Sequence, residues 1–526
     1  MIKTDIALPL NYDTALVKET IAAKLPVKAE EIRDLRIIKR ELDLSQIGKP
    51  LYKTSLAFSC DGEKERLLLR LKKKASEYEY TVFECPKYRN DFRPVVVGAG
   101  PAGLFAALAL AESGARPIIL ERGLDVDGRR KKIERFELLG ELDTECNVQF
   151  GEGGAGTYSD GKLKVGAKDK YKNRVIEEFI LAGATEDIAY STTAHLGTDR
   201  LPEIVKNIRK KIISLGGEFI FGARVTELKL QGECIYALSY ERGTERIELA
   251  ARAVILAVGH SARDTIRYLY GIGLPMVAKG FGMGMRIEHP TEYINRLVYR
   301  DSADFIEESA SYHLVTHLPS GRSVYSFCMC PGGSVVAATS SEGGVVTNGM
   351  SSFRRNGENS NAALLVSLTP EDFGGGSALD GILFQEKIEK TAFKLGDGYS
   401  APTVGLSELL YGEKPIGGGV KPSYPRGVFS ADPDDYMPSY IGESIKAAIP
   451  DFDAWLPGYN MREAVLTGPE TRTTSPVRIL RGESFEALGF SGIYVCGEGA
   501  GYAGGIVSSA TDGLRTAEAL VNNTGR

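Results

Sequence analysis

"VVVGAGPAGLFAA", Val95 to Ala107, is the stretch on which the fold turns. The valines after Pro94 read as a buried parallel strand, and "PAGLFAALALAESG" reads as a helix of small residues. "ARPIILERG" then reads as a second apolar strand, completing a βαβ unit of about 30 residues. The Gly98-x-Gly100-x-x-Gly103 spacing has a physical cause. Gly98 permits the tight turn, Gly100 lets a pyrophosphate approach the backbone, and Gly103 lets helix and strand pack closely. The helix opening with Pro101 and Ala102 turns its partially positive end toward that pyrophosphate. Glu121 ends the second strand 18 residues after Gly103, where a carboxylate accepts hydrogen bonds from ribose hydroxyls. An acid here suits an unphosphorylated adenosine ribose, so this unit alone does not separate NAD from FAD.

The far end of the chain separates them. "GIYVCGEGAGYAGGIVSSATDGLRTAEAL" reads as a strand ending at Gly497-Glu498, a glycine loop through Gly505, and a helix beginning near Ile506. It resembles the second FAD signature of the glutathione-reductase-like flavoprotein fold. There an acid after the strand glycine, usually Asp, holds the ribitol chain; Glu498 takes that place here. "AVILAVGHS", with Gly259, looks like the intermediate signature of the same fold. "ARVTEL" resembles the strand whose backbone, around Val225, pairs with adenine. Four signatures in this order imply FAD.

The resemblance extends further. "NVQFGEGGAGTYSDGKL", "VYSFCMCPGG", "GGVVTNGMS" and "TSPVRI" resemble a bacterial family of uncharacterised FAD-dependent dehydrogenases, over nearly the whole chain. The resemblance implies an FAD-dependent oxidoreductase that moves a hydride between a small-molecule substrate and the flavin. NAD(P)H as a transient donor and direct reduction by the substrate both stay open, because no second strand–glycine–helix unit is evident. A tRNA-modifying flavoprotein and a non-catalytic FAD-bound scaffold are the other classes open.

Between Gly151 and Lys162 glycines stand at 151, 153, 154, 156 and 161, which points to backbone passing against a flat cofactor. Gly154, Gly156, Thr157 and Lys162, with Ser159 and Asp160, are candidates for phosphate or flavin; a surface loop is the bland alternative. Arg122 and Arg129 follow the ribose-binding strand, as a cover for adenine, a reach to phosphate, or surface charge. Cys328 and Cys330 fall on one face of a strand and read as packed thiols, with a redox pair as the alternative. His260 falls next to the third signature, and His289, His313 and His317 fall in the region expected to meet substrate; none is singled out as a general base. The cysteines and histidines show no zinc-like spacing, so no metal is expected.

The expected fold class is α/β: a Rossmann-like FAD-binding domain carrying two additions. Residues 1–90 read as a small α+β, ferredoxin-like domain, with "LYKTSLAFSC" and "ERLLLRLKKK" as strands. The FAD-binding domain is expected at 91–270 and again at 482–526, interrupted at 271–481 by a β-rich substrate domain. A formal net charge of −5 over 526 residues gives no electrostatic reason for a nucleic-acid partner. "MIKTDIALPLNYD" does not read as a signal peptide, and no apolar run is long enough for a spanning helix. Seven scattered cysteines suit a reducing compartment, so a cytoplasmic protein with no membrane partner is expected.

Overall fold

Val95–Val97 is the central strand of a five-stranded parallel sheet in the computed structural model, which describes residues 1–46, 48–71, 74–163, 169–414 and 418–523. Across the sheet the strands run Ile493–Val495, Val254–Leu256, Val95–Val97, Ile118–Glu121 and Glu218–Phe221. Every residue of the first four is buried. Helices cover both faces of such a sheet, which is why these segments are continuous apolar runs without alternation. The helix Pro101–Glu112 starts on Gly100 with Pro at its first position, where the missing N–H costs nothing. It is buried from Ala102 to Ala111 and packs on the last helix, Ile506–Asn523. The approach is close enough that a Cβ on Gly513 would stand 2.1 Å from the Ala102 carbonyl oxygen. Small residues set that spacing.

The segment "GEFIFGARVTELKL", which the sequence presents as one strand, is two, broken at Gly222, whose φ is +67°. Glu218–Phe221 closes the parallel sheet, while Arg224–Gln231 joins Cys234–Arg242 and Glu245–Ala250 in a separate antiparallel sheet. The polar segment after Glu121 contains a helix, Val126–Leu139. The Asp125 carboxylate caps it by accepting from Gly128 N–H, and Gly140 ends it with φ +76°, the usual start and stop signals. Its core side is thin: Val126, Arg129, Ile133 and Phe136.

The N-terminal segment forms an antiparallel sheet in the order Arg33–Asp43, Leu51–Ser59, Ile2–Pro9, Ser76–Glu77, with helices Thr14–Lys24 and Gly62–Leu69. Ile2, Leu8, Ile21, Leu56 and Phe58 make its own core. The expected strand "ERLLLRLKKK" is instead the helix Gly62–Leu69, and its Lys72 and Lys73 lie outside the described residues. The Asp61 carboxylate accepts from Glu63 N–H, and Glu, Lys, Arg and Leu are all good helix formers. Of the apolar run, only Leu68 is buried.

Residues of the expected insert build a seven-stranded sheet. Its order is Val315–His317, Ser323–Cys330, Asn359–Leu368, Phe281–Pro290, Val465–Glu470, Ala401–Gly405 and Val428–Ser430. Two long helices, Asp380–Leu395 and Ser439–Trp455, share its core, so the region is less purely sheet than its sequence reads. Where the chain enters and leaves, Met276–Ala278 and Val477–Ile479 pair antiparallel and form a two-stranded neck. No helix among the described residues is long and apolar enough to cross a membrane.

Candidate functional site

The four glycine-bearing segments meet at the carboxyl ends of the parallel strands, where ligands of open α/β sheets bind. Gly98 has φ +101°, and a Cβ there would lie 2.4 Å from the Ala257 carbonyl oxygen. A Cβ on Gly103 would lie 1.9 Å from the Gly98 oxygen. Gly153 N–H donates to Ala99 O at 2.8 Å, which lays the second loop on the first. Beyond it, the open side of Gly100 faces Gly154, and that of Gly156 faces Ile506. Gly497 abuts Ala102, and Gly499 abuts Gly259.

Glu121 organises one end. Its buried carboxylate accepts from the N–H groups of Ala99 at 2.8 Å, Gly123 at 2.9 Å and Gly151 at 2.9 Å. It therefore ties the first glycine turn to the second loop.

The two arginines expected on adenine or phosphate are used otherwise. Arg129 is fully buried and donates to the carbonyls of Asn147, Val148, Glu152 and Gly154 at 2.7–2.9 Å, with a longer bond to Gly151. It is neither surface charge nor a phosphate donor; it is the internal clip that shapes the loop. Arg122 is bidentate to both Glu145 and Asp264 and lies 4.1 Å from the Phe150 ring centroid. Its donors are spent on the wall of the site. Val225 pairs with Tyr240 in the antiparallel sheet, beside Arg224.

Lys162 also departs from its expected role. Its ammonium donates to the Met329 carbonyl, across to the seven-stranded sheet. Asp160 pairs with buried Arg355 at 2.9 Å, and Thr198 N–H donates to Ser351 O. The loop Gly151–Lys162 is thus an ordered wall between sheet and insert. Its residues are buried or half-buried, so it is not the surface loop that stood as the alternative.

At the other end stand His260 and Glu498, with Nδ1 and Oε1 3.2 Å apart. His260 Nε2 and Thr157 Oγ1 are buried with no protein partner. Gly504, Gly505 and Ser508 are exposed at the start of the last helix, and nothing lies within 4 Å of where a Gly259 Cβ would stand. A helix N-terminus left open beside unpartnered buried polar atoms fits a polar, partly anionic group. The sequence reading did not single out Asp512, which accepts from Gly497 N–H at 2.7 Å and pairs bidentately with Arg481. The one signal was an acid inside an apolar helix face, "SSATDGL".

His289, His313 and His317, expected near a substrate, stand apart from this place. His289 is buried in the insert core, with Nε2 2.9 Å from Tyr459 O, and burial pushes it down to about 4. His313 and His317 are exposed.

Comparison with known proteins agrees with this geometry. An FAD binding domain model matches residues 93–129, and the model for FAD-dependent protein, C-terminal domain-like, matches residues 280–473. An uncharacterised protein of Clostridium beijerinckii is 42% identical over 527 residues, spanning 98% of each chain. Among solved structures, the flavin-dependent brominase Bmp2 is 11% identical over 82% of this chain and 79% of that one, with a TM-score of 0.40. The quinol fumarate reductase FrdA of E. coli is 12% identical over 85% and 71%, with a TM-score of 0.37. The glycine signatures and the two family matches together define a flavoprotein whose cofactor is FAD. Within that class, the chain belongs to the family of the Clostridium protein, a family of FAD-dependent proteins.

Proposed function

We propose that this protein is a dehydrogenase or reductase acting on a small organic molecule, with hydride passing between that molecule and FAD. FAD supplies the hydride chemistry when bound. The chain supplies position. The Glu121 carboxylate, set by three backbone N–H groups, offers its remaining acceptor capacity to the adenosine ribose. The Gly153–Thr157 backbone and the helix starting at Pro101 hold the pyrophosphate. Glu498, oriented by His260 Nδ1, accepts from the ribitol chain, Thr157 Oγ1 is a donor left free for a cofactor oxygen, and His260 Nε2 is left free to accept from a cofactor N–H or O–H. The N-terminus at Ile506 favours negative charge on whatever lies against it, by about 0.3–2 kcal/mol.

The insert closes the site from the other side. Bonds from Asp160, Lys162 and Thr198 hold it against the glycine loop, which excludes water from the face a substrate must reach. One observation carries this reading: the exposed helix N-terminus at Gly504–Ser508 is fed by a loop whose Gly499 abuts Gly259 and whose Glu498 meets His260, a residue with a buried, unpartnered Nε2.

Anaerobic mixing of the purified holoprotein with NADH, NADPH and a fractionated metabolite extract tests it. Bleaching of the flavin by one fraction, with a stoichiometric product, is the expected result. A flavin that no fraction bleaches, and that small acceptors fail to reoxidise after photoreduction, would leave a bound scaffold in place of an enzyme.

A further inference from the structure

The sequence favours packed thiols at Cys328 and Cys330; their surroundings do not. Cys328 has φ +42°, at a bulge where the pairing of Ser323–Cys330 with Asn359–Leu368 shifts register between Phe327 and Cys330. Cys328 is half-buried and Cys330 is buried, with the Cys330 thiol donating to Cys328 O at 3.1 Å. Arg286 Nη1 reaches both residues, 3.1 Å from Cys328 O and 3.9 Å from Cys330 Sγ. Buried Glu470 holds that guanidinium bidentately at 2.6 and 2.8 Å. From the glycine loop, Lys162 donates to Met329 O, between the two cysteines, and Asp160 faces them already paired with Arg355. Asn361, the cross-strand partner of Cys330, is fully buried and keeps an unpartnered amide nitrogen.

From this cluster we propose a redox-active dithiol that reacts with low-molecular-weight disulfides, Cys328 attacking and Cys330 resolving. The electrostatics support it. The neighbouring Cys330 side chain lowers Cys328 most, burial opposes, and Arg286 and Lys162 add to the lowering; Cys330 moves the other way and stays protonated. Burial pushes the thiols of Cys85, Cys146 and Cys496 up. A favoured thiolate beside a resolving thiol is the arrangement of reversible thiol chemistry.

The steps balance. The Cys328 thiolate attacks one sulfur of RSSR, forms a mixed disulfide and expels RS⁻. Cys330 gives its proton to a thiolate, attacks Cys328 Sγ, closes the Cys328–Cys330 disulfide and expels the second RS⁻. The dithiol loses two electrons, and RSSR gains them as two thiols.

The test uses full-length, FAD-loaded protein, reduced and then exposed to oxidised glutathione, with peptide mass analysis over time. The wild type should acquire a Cys328–Cys330 disulfide, and Cys330→Ser should trap one glutathione on Cys328. That adduct should form on the order of tenfold faster than an adduct on exposed Cys234. Brief iodoacetamide treatment of the unmutated protein should alkylate Cys328 ahead of Cys330, a measurement independent of the variant's folding. Glutathione on Cys234 ahead of Cys328, or a wild type without the 328–330 disulfide, would return both residues to the packed-thiol reading.

Discussion

His260 Nδ1 lies 3.2 Å from Glu498 Oε1, joining the residue after the third glycine signature to the acid of the fourth. The pair sits at the edge of the parallel sheet, with His260 buried and Glu498 partly open. Glu498 thus stands between His260 and the charge of Lys279 and keeps free acceptor capacity on its exposed side. Glu498→Ala should weaken FAD binding by about 1.5–3 kcal/mol, the range for hydrogen bonds to a charged group. Glu498→Gln should lose less, since the amide oxygen still accepts. Fluorescence titration of the FAD-free protein measures both, and equal affinities for wild type and the Ala variant would move the ribitol chain away from this acid.

Arg129 yields a second expectation. Four short bonds to loop carbonyls, from a side chain with no exposed surface, make it a structural element of the Asn147–Gly154 turn. Its removal leaves buried carbonyls without donors, at about 1–3 kcal/mol each. Arg129→Met should therefore lower the stability of even the FAD-free protein by about 3 kcal/mol or more, and FAD retention with it. Arg129→Lys should recover little, because a single ammonium cannot span the fork. Thermal unfolding with FAD removed decides the matter; a loss confined to the FAD-loaded form would mean that Arg129 touches the cofactor after all.

The contrast between these residues bears on what a sequence discloses. Gly98 and Gly103 were legible because the tight turn and the close helix–strand packing follow from local spacing on a strand–turn–helix–strand unit, whereas the bonds of Glu121 to Ala99, Gly123 and Gly151 were not. Arg129 was not, since its partners lie 18 to 25 residues on, in a loop whose path no local pattern sets. Lys162 and Met329 meet only because the insert folds back on the glycine loop. The His260–Glu498 contact is tertiary in the same sense, although both ends were marked by glycines. The strand expected at Glu65–Lys74 failed for a different reason: three consecutive leucines look like a strand, but a capping aspartate and helix-forming neighbours outweigh them.

A pH effect follows from His289. Buried against Tyr459, it has its pKa pushed down from 6.5 to about 4 by loss of hydration, and its hydrogen bond to Tyr459 O only partly opposes this. The unfolded chain therefore takes up the proton first as pH falls. Stability is full above about pH 6.5 and declines between 6.5 and 4, by about 3 kcal/mol from this residue. His289→Gln should be less stable at pH 7.5, yet should lose less on acidification through that window. Thermal midpoints at four or five pH values would show it, and parallel curves for the two proteins would assign the acid sensitivity elsewhere.

Two glycines separate a fold requirement from a site requirement. A Cβ at Gly103 would stand 1.9 Å from the backbone oxygen of Gly98, which no side-chain motion relieves. A Cβ at Gly505 meets only Ser508 Oγ, at 3.8 Å, and the residue is exposed at the start of the last helix. Gly103→Ala should therefore push strand and helix apart and destabilise the FAD-free protein by about 1–3 kcal/mol, as overpacking does. Gly505→Val should leave the FAD-free protein within about 0.5 kcal/mol of wild type, the usual range for surface changes. With the flavin lying against this open helix N-terminus, the isopropyl group would crowd it, so FAD affinity should fall by tenfold or more, about 1.4 kcal/mol. Unfolding of the FAD-free variants, paired with FAD titration of each, separates the two effects. A Gly505→Val protein that binds FAD like wild type would show that the flavin does not approach this helix.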